Sequence, residues 1–279
     1  MFVRSDMLLR DKHRGVHAHV ISFGWDGFEP RMYLYEAAKG EVAEIDLWSL
    51  SLDIGAGKRC VGSFTRSGYA PCPTASPVST FAQCSACAKP FLPELSCLFE
   101  PQCDGSLCRA RFCQQEHGVY LAFHAGKVKV GMCTARRIEE RAIEQGADAY
   151  AVVARVRGRL NARNLERAIS STLGIGQRIG WVHALEALAS PVPWDDIMER
   201  YGMLRERLME EMCLGIGRLH RLDRYPIPLR LTSVPRTAEI VGRHTGTIIG
   251  IKGKVLVYEN NGLHALSMMR LVARDVRIL

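Results

Sequence analysis

The sequence contains no long apolar run. Its 279 residues are 47% hydrophobic, yet no stretch of about 18 consecutive apolar residues occurs, the length that a membrane-spanning helix needs. The first residues, MFVRSDMLLRDKHR, carry too much charge to form the apolar core of a secretory signal. From these two absences we expect a cytoplasmic protein that has no membrane partner.

Acidic residues are in deficit. The chain has 29 Asp and Glu against 37 Lys and Arg, which gives a formal net charge of +8. Arginine makes planar two-point contacts with phosphates, so nucleic acid is the expected partner class. The glycine-rich piece Gly55-Ala56-Gly57-Lys58 lacks the glycine spacing and the Ser or Thr of a phosphate-binding loop, which excludes a P-loop enzyme.

Cysteine is concentrated in one block. Eight of the ten cysteines lie between residues 60 and 113, in a stretch rich in proline, serine and glycine. In a reducing compartment, thiols at this density bind metal rather than form disulfides. The Cys84-Ser-Ala-Cys87 step is typical of zinc sites, because both sulfurs reach one tetrahedral metal from a tight turn. Cys60 and Cys72 complete a predicted four-thiolate site.

A second quartet of cysteines follows the first. It consists of Cys97, Cys103, Cys108 and Cys113. The spacers of five, four and four residues match no common zinc motif. Three alternatives stay open for this quartet: a second zinc ion, an iron–sulfur cluster, or thiols that are partly free. Cys133 and Cys213 stand alone among periodic apolar residues and are predicted to lie in the core.

The chain divides into five predicted segments. They are a β-rich N-terminal segment (1–59), a Cys-rich metal-binding module (60–116), an α/β module (117–186), a helical segment (187–237) and a β-rich C-terminal segment (238–279). In the α/β module a β-hairpin, a helix that ends at Gly146, a strand and a second helix follow one another. An apolar stripe predicts a long helix from about 195 to 213. Both ends of the chain are rich in strands and are expected to pack together.

The α/β module resembles the catalytic module of the GIY-YIG nucleases. Gly118-Val119-Tyr120 stands at the place of the first motif, and Lys129-Val130-Gly131 at the place of the second. Arg141, on the basic helix that begins near Arg137, occupies the position of the catalytic arginine of that family. Glu166 lies where those enzymes carry the glutamate that binds their divalent metal. The resemblance covers about 57 residues, from Gly118 to Gly174.

This resemblance implies phosphodiester chemistry. Glu166 would hold Mg²⁺ or Mn²⁺, Arg141 would neutralise the phosphate, and Tyr120 would help to take a proton from water. The second motif of those nucleases supplies a tyrosine, and here Lys129 replaces it. Lysine contacts phosphate well but is a poor general base unless its pKa is strongly lowered. The replacement therefore favours binding of nucleic acid over its cleavage.

The chain from Cys60 onward is also similar to an uncharacterised prokaryotic family, in which cysteine pairs precede a set of short motifs. The matching pieces are Val119–Ala122, Lys129–Gly131, Arg141, Glu144–Ala147, Glu166 and Gly250–Lys254. This second resemblance implies an architecture and no particular activity.

The sequence thus predicts an α+β protein. A Cys-rich zinc-type module lies next to a GIY-YIG-like α/β module, and the N- and C-terminal segments are β-rich. The predicted function is binding of structured RNA, in preference to DNA, by a metal-containing protein that acts on tRNA, rRNA or a ribonucleoprotein. The alternatives are a Mg-dependent GIY-YIG-type endonuclease and an iron–sulfur or thiol-dependent RNA-modification factor. The arginines predicted to contact nucleic acid are Arg137, Arg155, Arg157, Arg159 and Arg163.

Overall fold

The computed structural model of the chain describes residues 15–49, 51–65, 68–89, 95–98, 100–102 and 110–279. The strands are β1 (His17–Asp26), β2 (Glu29–Glu36), β3 (Glu41–Ile45), β4 (Leu52–Lys58), β5 (Ser63–Thr65), β6 (Gly68–Ala70), β7 (Glu116–His124), β8 (Lys127–Thr134), β9 (Ala149–Arg157), β10 (His220–Arg221), β11 (Arg236–Thr237), β12 (Gly242–His244), β13 (Thr247–Lys252), β14 (Val255–Glu259), β15 (Leu263–Ser267) and β16 (Arg274–Ile278). The α-helices are α1 (Ser85–Ala88), α2 (Arg111–Gln114), α3 (Ile138–Glu144), α4 (Arg159–Leu173), α5 (Trp181–Ala189), α6 (Trp194–Met212) and α7 (Met268–Leu271). Short 3-10 turns occupy Leu47–Ser49, Leu95–Leu98 and Ala135–Arg137. The mixed α and β composition that the sequence predicts is confirmed, and no helix in these ranges is long and apolar enough to span a membrane.

Strands from both ends of the chain form one antiparallel sheet. Its order is β12-β4-β16-β1-β2-β3, so the last strand of the chain lies between two N-terminal strands. The β1–β2 hairpin turns at Asp26-Gly27, where Gly27 takes a φ of +56° that few residues other than glycine adopt. Val20, Met32 and Leu34 are among the side chains that the sheet buries.

The α/β module forms a second sheet, of order β10-β9-β7-β8, in which β7 pairs antiparallel with both β8 and β9. Because side chains alternate along a strand, the two faces of β7 enter different cores. Val119 and Leu121 pack with Ile169 of α4, whereas Tyr120 and Ala122 pack with residues of α3. The helices end as predicted, α3 just before Gly146 and α4 at Gly174, and both glycines have positive φ.

The third sheet, of order β11-β15-β14-β13, packs against α5. The predicted long helix is confirmed as α6, whose Ile197, Leu204 and Leu208 join the core beneath the second sheet. The prediction that Cys213 is a core residue is wrong. Cys213 lies just beyond α6 with a φ of +53°, where the left-handed turn at the helix end leaves it exposed.

The largest hydrophobic core connects segments that are distant in sequence. It joins Val20 and Met32 of the N-terminal sheet, Ile143 of α3, and Leu256 of the C-terminal sheet. The Cys-rich block contributes Val61 to the same core. The hydrophobic interior therefore fixes the metal block and the α/β module to one common framework.

Candidate functional site

Four cysteines of the metal block come together. The sulfurs of Cys60, Cys72, Cys84 and Cys87 all lie within 4.8 Å of one another, and those of Cys72 and Cys84 are 4.0 Å apart. In a tetrahedral site with a zinc–sulfur distance of about 2.3 Å, neighbouring sulfurs would stand about 3.8 Å apart. The four cysteines therefore fit one tetrahedral metal ion such as zinc.

Short turns position these four sulfurs. Cys84 is the N-cap of α1, and this single helical turn places Cys87 beside it. The backbone N–H groups of Gly62 and Cys84 donate to the Cys60 sulfur at 3.4 and 3.2 Å. Gly62 has a φ of +76°, and a Cβ there would lie 2.2 Å from the Ala70 carbonyl oxygen, so the turn requires glycine.

Hydrogen bonding already favours thiolate at two of the four positions. Burial raises the pKa of Cys60, and burial together with contacts to the other thiols raises the pKa of Cys87 to about 12. Burial acts in the same direction on Cys72, but hydrogen bonds from Thr74 and nearby backbone outweigh it and lower the pKa to about 5. The pKa of Cys84 is lowered in the same way, by hydrogen bonds that outweigh burial. Thiolate is the form that a metal binds.

The second cysteine quartet is only partly described. Cys103 and Cys108 lie outside the described residues. Cys97 is buried in the 3-10 turn Leu95–Leu98, and Cys113 is half-buried in α2. Among the described residues, only the first four cysteines form a group of three or more ligand-type side chains close enough to share a metal.

A separate polar site lies on the β7–β8 hairpin. Tyr120 pairs directly with Gly131, and Lys129 precedes Gly131 by two residues on the same face. A Cβ at Gly131 would lie 3.0 Å from the Tyr120 hydroxyl oxygen and 3.4 Å from the Lys129 Nζ. The Lys129 Nζ is 5.9 Å from the centroid of the Tyr120 ring, and both side chains are buried. Gly131 thus leaves the space in which the two polar groups converge.

Helix α3 supplies the next part of this polar site. The Tyr120 hydroxyl donates to the Gln145 Oε1 at 3.3 Å. Arg141 donates from Nη1 to the Glu144 Oε2 at 2.6 Å, and about half of its side chain is exposed. The positive charge of Arg141 acts to lower the pKa of both Tyr120 and Lys129.

Glu166 reaches the same region from α4 and is held in an ion network. Its negative charge acts to raise the pKa of Tyr120 and of Lys129, so these two side chains lie within electrostatic reach of both Arg141 and Glu166. Glu166 is buried, and its Oε2 accepts from the Arg163 Nη1 at 2.5 Å. Arg163 also binds Glu100, with 2.9 Å between Nη2 and Oε2.

Burial changes the acid–base character of the hairpin residues. Burial raises the pKa of Tyr120 far above its ordinary value, so the phenol stays protonated. Burial, assisted by the charge of Arg141, lowers the pKa of Lys129 to about 8. Of these two side chains, Lys129 is therefore the one that can exchange a proton near neutral pH.

The carboxylate that was predicted to hold magnesium or manganese is already engaged in an ion pair. Glu166 is a single carboxylate that already binds Arg163, and no other group of ligand-type side chains in the described ranges gathers around it. Mg²⁺ prefers several oxygen ligands in octahedral geometry. A metal ion here would have to displace Arg163 from Glu166 and take its remaining ligands from water or from a substrate phosphate.

The turn between β13 and β14 brings a further lysine to the polar site. A Cβ at Gly253 would lie 2.4 Å from the Gly146 backbone nitrogen, so the two backbones are in close contact. The Trp25 Nε1 donates to the Gly253 carbonyl oxygen at 2.9 Å, and the Lys252 Nζ lies 2.5 Å from the Asp148 Oδ1. These contacts hold the turn against the end of α3.

Lys254, at the end of this turn, is half-buried beside Arg141. Burial and the charge of Arg141 lower the pKa of Lys254. The charge of Lys254 in turn helps to lower the pKa of Lys129. Within the described ranges no carboxylate forms an ion pair with Lys129 or Lys254. Lys254 ends one of the family-like motifs, but its sequence position alone gave it no role. The signal in the sequence that could have identified Lys254 is the lysine–glycine–lysine pattern at a hairpin turn.

The predicted phosphate-contacting arginines have different surroundings. Arg155 and Arg157 are exposed on β9, and the Arg155 Nη1 lies 3.8 Å from the Glu116 Oε2. The guanidinium of Arg137 binds Glu140 at 2.6 Å and Glu144 at 2.7 Å. These contacts leave Arg155 and Arg157 more accessible to a ligand than Arg137.

Arg159 is not part of an exposed surface, contrary to the expectation for a phosphate contact. Only 4% of the residue is exposed, because its guanidinium donates to the Cys97 carbonyl oxygen and lies over the ring of Phe112 at 5.1 Å. Arg159 instead connects α4 to the chain segment that carries the second cysteine quartet.

Most of the chain matches the model of one protein family. A family model described as "Protein of unknown function (DUF2797)" matches residues 49–272. No curated protein and no solved structure matches the chain. The matched range includes the four-cysteine cluster, the β7–β8 hairpin and Lys254. Because the family model covers well over half of the chain, the chain belongs to the DUF2797 family.

Proposed function

We propose that the protein binds structured RNA through Lys129, Arg141 and Lys254. A zinc ion stabilises the Cys-rich block, and its ligands are Cys60, Cys72, Cys84 and Cys87. Lys129 and Arg141 belong to the GIY-YIG-like α/β module, and the zinc module precedes it in the chain. The supporting observation is the convergence of three positive side chains from β8, α3 and the β13–β14 turn.

The positive charge at this site is only partly compensated. Bringing like charges together in a partly buried place is unfavourable unless an anion compensates them. In the described part of the chain Lys129 and Lys254 have no carboxylate partner, and Arg141 has a single one. A phosphate group would neutralise the excess charge and would accept hydrogen bonds from all three side chains.

RNA is the nucleic acid that this geometry favours. Lys129 is buried and Lys254 is half-buried, so two of the three cations are recessed from the exposed surface. Such a site suits a single projecting phosphate better than the continuous backbone of a duplex. Irregular loops and bulges of folded RNA present phosphates in this way.

The test compares two lysine-to-methionine variants. Lys129→Met and Lys254→Met keep the length of the side chain and remove its charge. Each should weaken binding to tRNA or rRNA fragments about 5- to 50-fold at low salt, because each loses a charge-assisted phosphate contact. Lys127→Met is the control, since Lys127 is an exposed lysine of the same hairpin outside the polar site. Equal effects of all three variants in a filter-binding assay would contradict the proposal.

Endonuclease activity is the second candidate, and Lys129 is the observation that favours it. A lysine whose pKa is about 8 can take a proton from water, while Arg141 neutralises the phosphate. Incubation of labelled RNA with Mg²⁺, Mn²⁺ or EDTA tests this candidate. A cut at a defined phosphodiester that Lys129→Met and Glu166→Gln both abolish would place the enzyme ahead of the binder.

An iron–sulfur or thiol-dependent RNA-modification factor is the third candidate and depends on the second cysteine quartet. Its test is the absorbance and the iron and sulfide content of protein purified without oxygen. A colourless protein that contains only zinc would exclude the cluster.

A further inference from the structure

A cavity of about 440 Å³ lies between the N-terminal sheet and the metal block. This volume falls in the range of roughly 300 to 1,000 Å³ that is typical of small-molecule sites. Its walls include His19, Tyr35, Arg59, Tyr69 and Asp275, and also two of the clustered cysteines. The cavity uses none of the residues assigned to phosphate binding.

One wall carries a polar triad. The His19 Nδ1 lies 2.9 Å from the Asp275 Oδ1, and the Arg59 Nη2 donates to the same oxygen at 2.6 Å. An ionised carboxylate can only accept hydrogen bonds, so the histidine donates from Nδ1; in the neutral ring the lone pair is then on Nε2. His19 is 8% exposed, and its Nε2 is buried without a hydrogen-bond partner among the described residues. The ring therefore has an unused acceptor.

An aromatic wall adjoins this triad, since Tyr35 is the cross-strand partner of His19. The rings of Tyr35 and Tyr69 have centroids 5.1 Å apart and planes tilted by 51°. Phe64 extends the group, with its centroid 5.3 Å from that of Tyr69. Flat aromatic side chains beside a cavity offer a stacking surface to a planar ligand.

We infer that this cavity binds a purine or pyrimidine base, stacked on Tyr69 beside Tyr35, with a ring N–H or amino group donating to His19 Nε2 and a carbonyl accepting from Arg59. The guanidinium of Arg59 has five N–H donors and half of the side chain is exposed, so donors remain after it binds Asp275. A nucleobase edge presents a donor and an acceptor side by side, which matches this pair.

The charges of the walls exclude the other simple ligand classes. Arg59 neutralises Asp275, so a cation finds no free carboxylate. An anion would lie close to Asp275 and to the sulfurs of Cys60 and Cys72. A neutral, planar and polar ring meets neither difficulty. Base binding here is independent of the proposed RNA site, because the two sites share no residue.

The test uses the full-length, zinc-loaded protein and two kinds of probe. Isothermal titration with the four nucleoside monophosphates and with four homopolymeric hexanucleotides should give saturable binding to at least one base. If the monophosphate binds within about tenfold of the hexanucleotide, a free nucleotide supplies the base; if the hexanucleotide binds far better, an unstacked base of a strand supplies it. Failure of both probe classes to bind at millimolar concentration would overturn the inference.

Variants locate the binding in the cavity. Tyr69→Leu should weaken binding of the favoured probe roughly 5- to 150-fold, because one aromatic stacking partner is lost. Tyr33→Leu is the matched control, since Tyr33 is a half-buried tyrosine of β2 outside the cavity. In protein with ¹⁵N-labelled histidine, the His19 Nε2 signal should shift when the probe is added. Binding that Tyr69→Leu leaves unchanged, with no shift at His19, would overturn the inference. Loss of hexanucleotide binding in Lys129→Met with nucleotide binding intact would instead assign the effect to the RNA site.

Discussion

At Lys129, burial and charge oppose each other. Only 6% of the residue is exposed, and burial lowers its pKa from 10.5 to about 8. Below pH 8 the side chain is charged in both the folded and the unfolded chain, and its desolvation destabilises the fold. At about 1.4 kcal/mol per pKa unit, this cost is about 3 kcal/mol.

The stability of the protein should therefore depend on pH in a defined window. Between about pH 8 and 10.5 the unfolded chain keeps a proton that the folded chain has released, so the contribution of Lys129 to stability becomes less unfavourable as pH rises. Lys129→Met should be more stable than the wild-type protein at pH 7, by up to about 3 kcal/mol, and the difference should shrink towards pH 10. Urea unfolding at both pH values measures it. A constant difference between the two proteins would show that Lys129 titrates at its ordinary pKa.

The four clustered cysteines lead to a prediction about metal content. Cys72→Ser or Cys84→Ser should remove the tightly bound zinc and unfold the block around it, because a structural zinc site contributes on the order of 10 kcal/mol of apparent binding free energy to folding. Elemental analysis gives the zinc content, and protease digestion reports the unfolding. Cys213→Ser is the control, since that cysteine is exposed and distant from the cluster in sequence. Full zinc content in Cys84→Ser would disprove the four-thiolate site.

At the scale of elements, the β13–β14 turn is the contact through which the C-terminal sheet reaches the polar site. Gly253 has a φ of +55°, and a Cβ there would lie 2.4 Å from the Gly146 backbone nitrogen. Only backbone atoms stand in the way, and they cannot rotate aside as a side chain can. Gly253 therefore permits the contact that places Lys254 beside Arg141.

Replacing this glycine should separate the two elements. Gly253→Ala should destabilise the protein by about 2 kcal/mol or more and should weaken RNA binding as Lys254→Met does. Gly126→Ala at the β7–β8 turn is the matched control, because a Cβ at Gly126 would have no other atom within 4 Å and the φ of Gly126 is not positive. Thermal unfolding and filter binding measure the two effects. Wild-type stability in Gly253→Ala would contradict the close backbone contact.

At the scale of the whole molecule, the net charge of +8 should govern how RNA binding responds to salt. Each neutralised phosphate contributes roughly 0.7 to 0.9 to the slope of log affinity against log salt. One phosphate bound by Lys129, Arg141 and Lys254 together, and one each at Arg155 and Arg157, would give a slope of about −2.1 to −2.7. The Lys129→Met, Lys254→Met double variant should lose the phosphate that these side chains share and reduce the slope by about 0.7 to 0.9. Titrations at four salt concentrations measure it, and affinity that is independent of salt would argue against every nucleic-acid function.

Much of the fold was predictable from local signals. Alternating strands at the N-terminus, the hairpin after His117, and helices that stop at Gly146 and Gly174 all occur where the sequence indicates them. These signals depend on the geometry of a few neighbouring residues. That local geometry is the same whatever tertiary contacts the chain makes. The same reasoning was wrong for Cys213, because an apolar periodicity does not show where the stripe ends and the helix turns outward.

The candidate sites were predictable only in part. The two-residue spacing of Cys84 and Cys87 identifies half of a metal site by itself, since the two sulfurs are neighbours in any tight turn. Arg159 lies in an arginine-rich run that predicts an exposed basic surface, but the packing of α4 against the Cys97 segment buries it. Charge along a sequence does not reveal which charges the fold encloses.

The sequence by itself determined the order of strands and helices from Gly118 to Gly174, the proximity of Cys84 and Cys87, and the basic character of the chain. Only the tertiary structure decided that Lys254 lies beside Arg141, that the last strand lies between β1 and β4, and that His19 meets Asp275. The residues of each of these pairings are more than 100 positions apart. Local propensity acts over a few residues, whereas such contacts arise when distant apolar faces are buried together in one core.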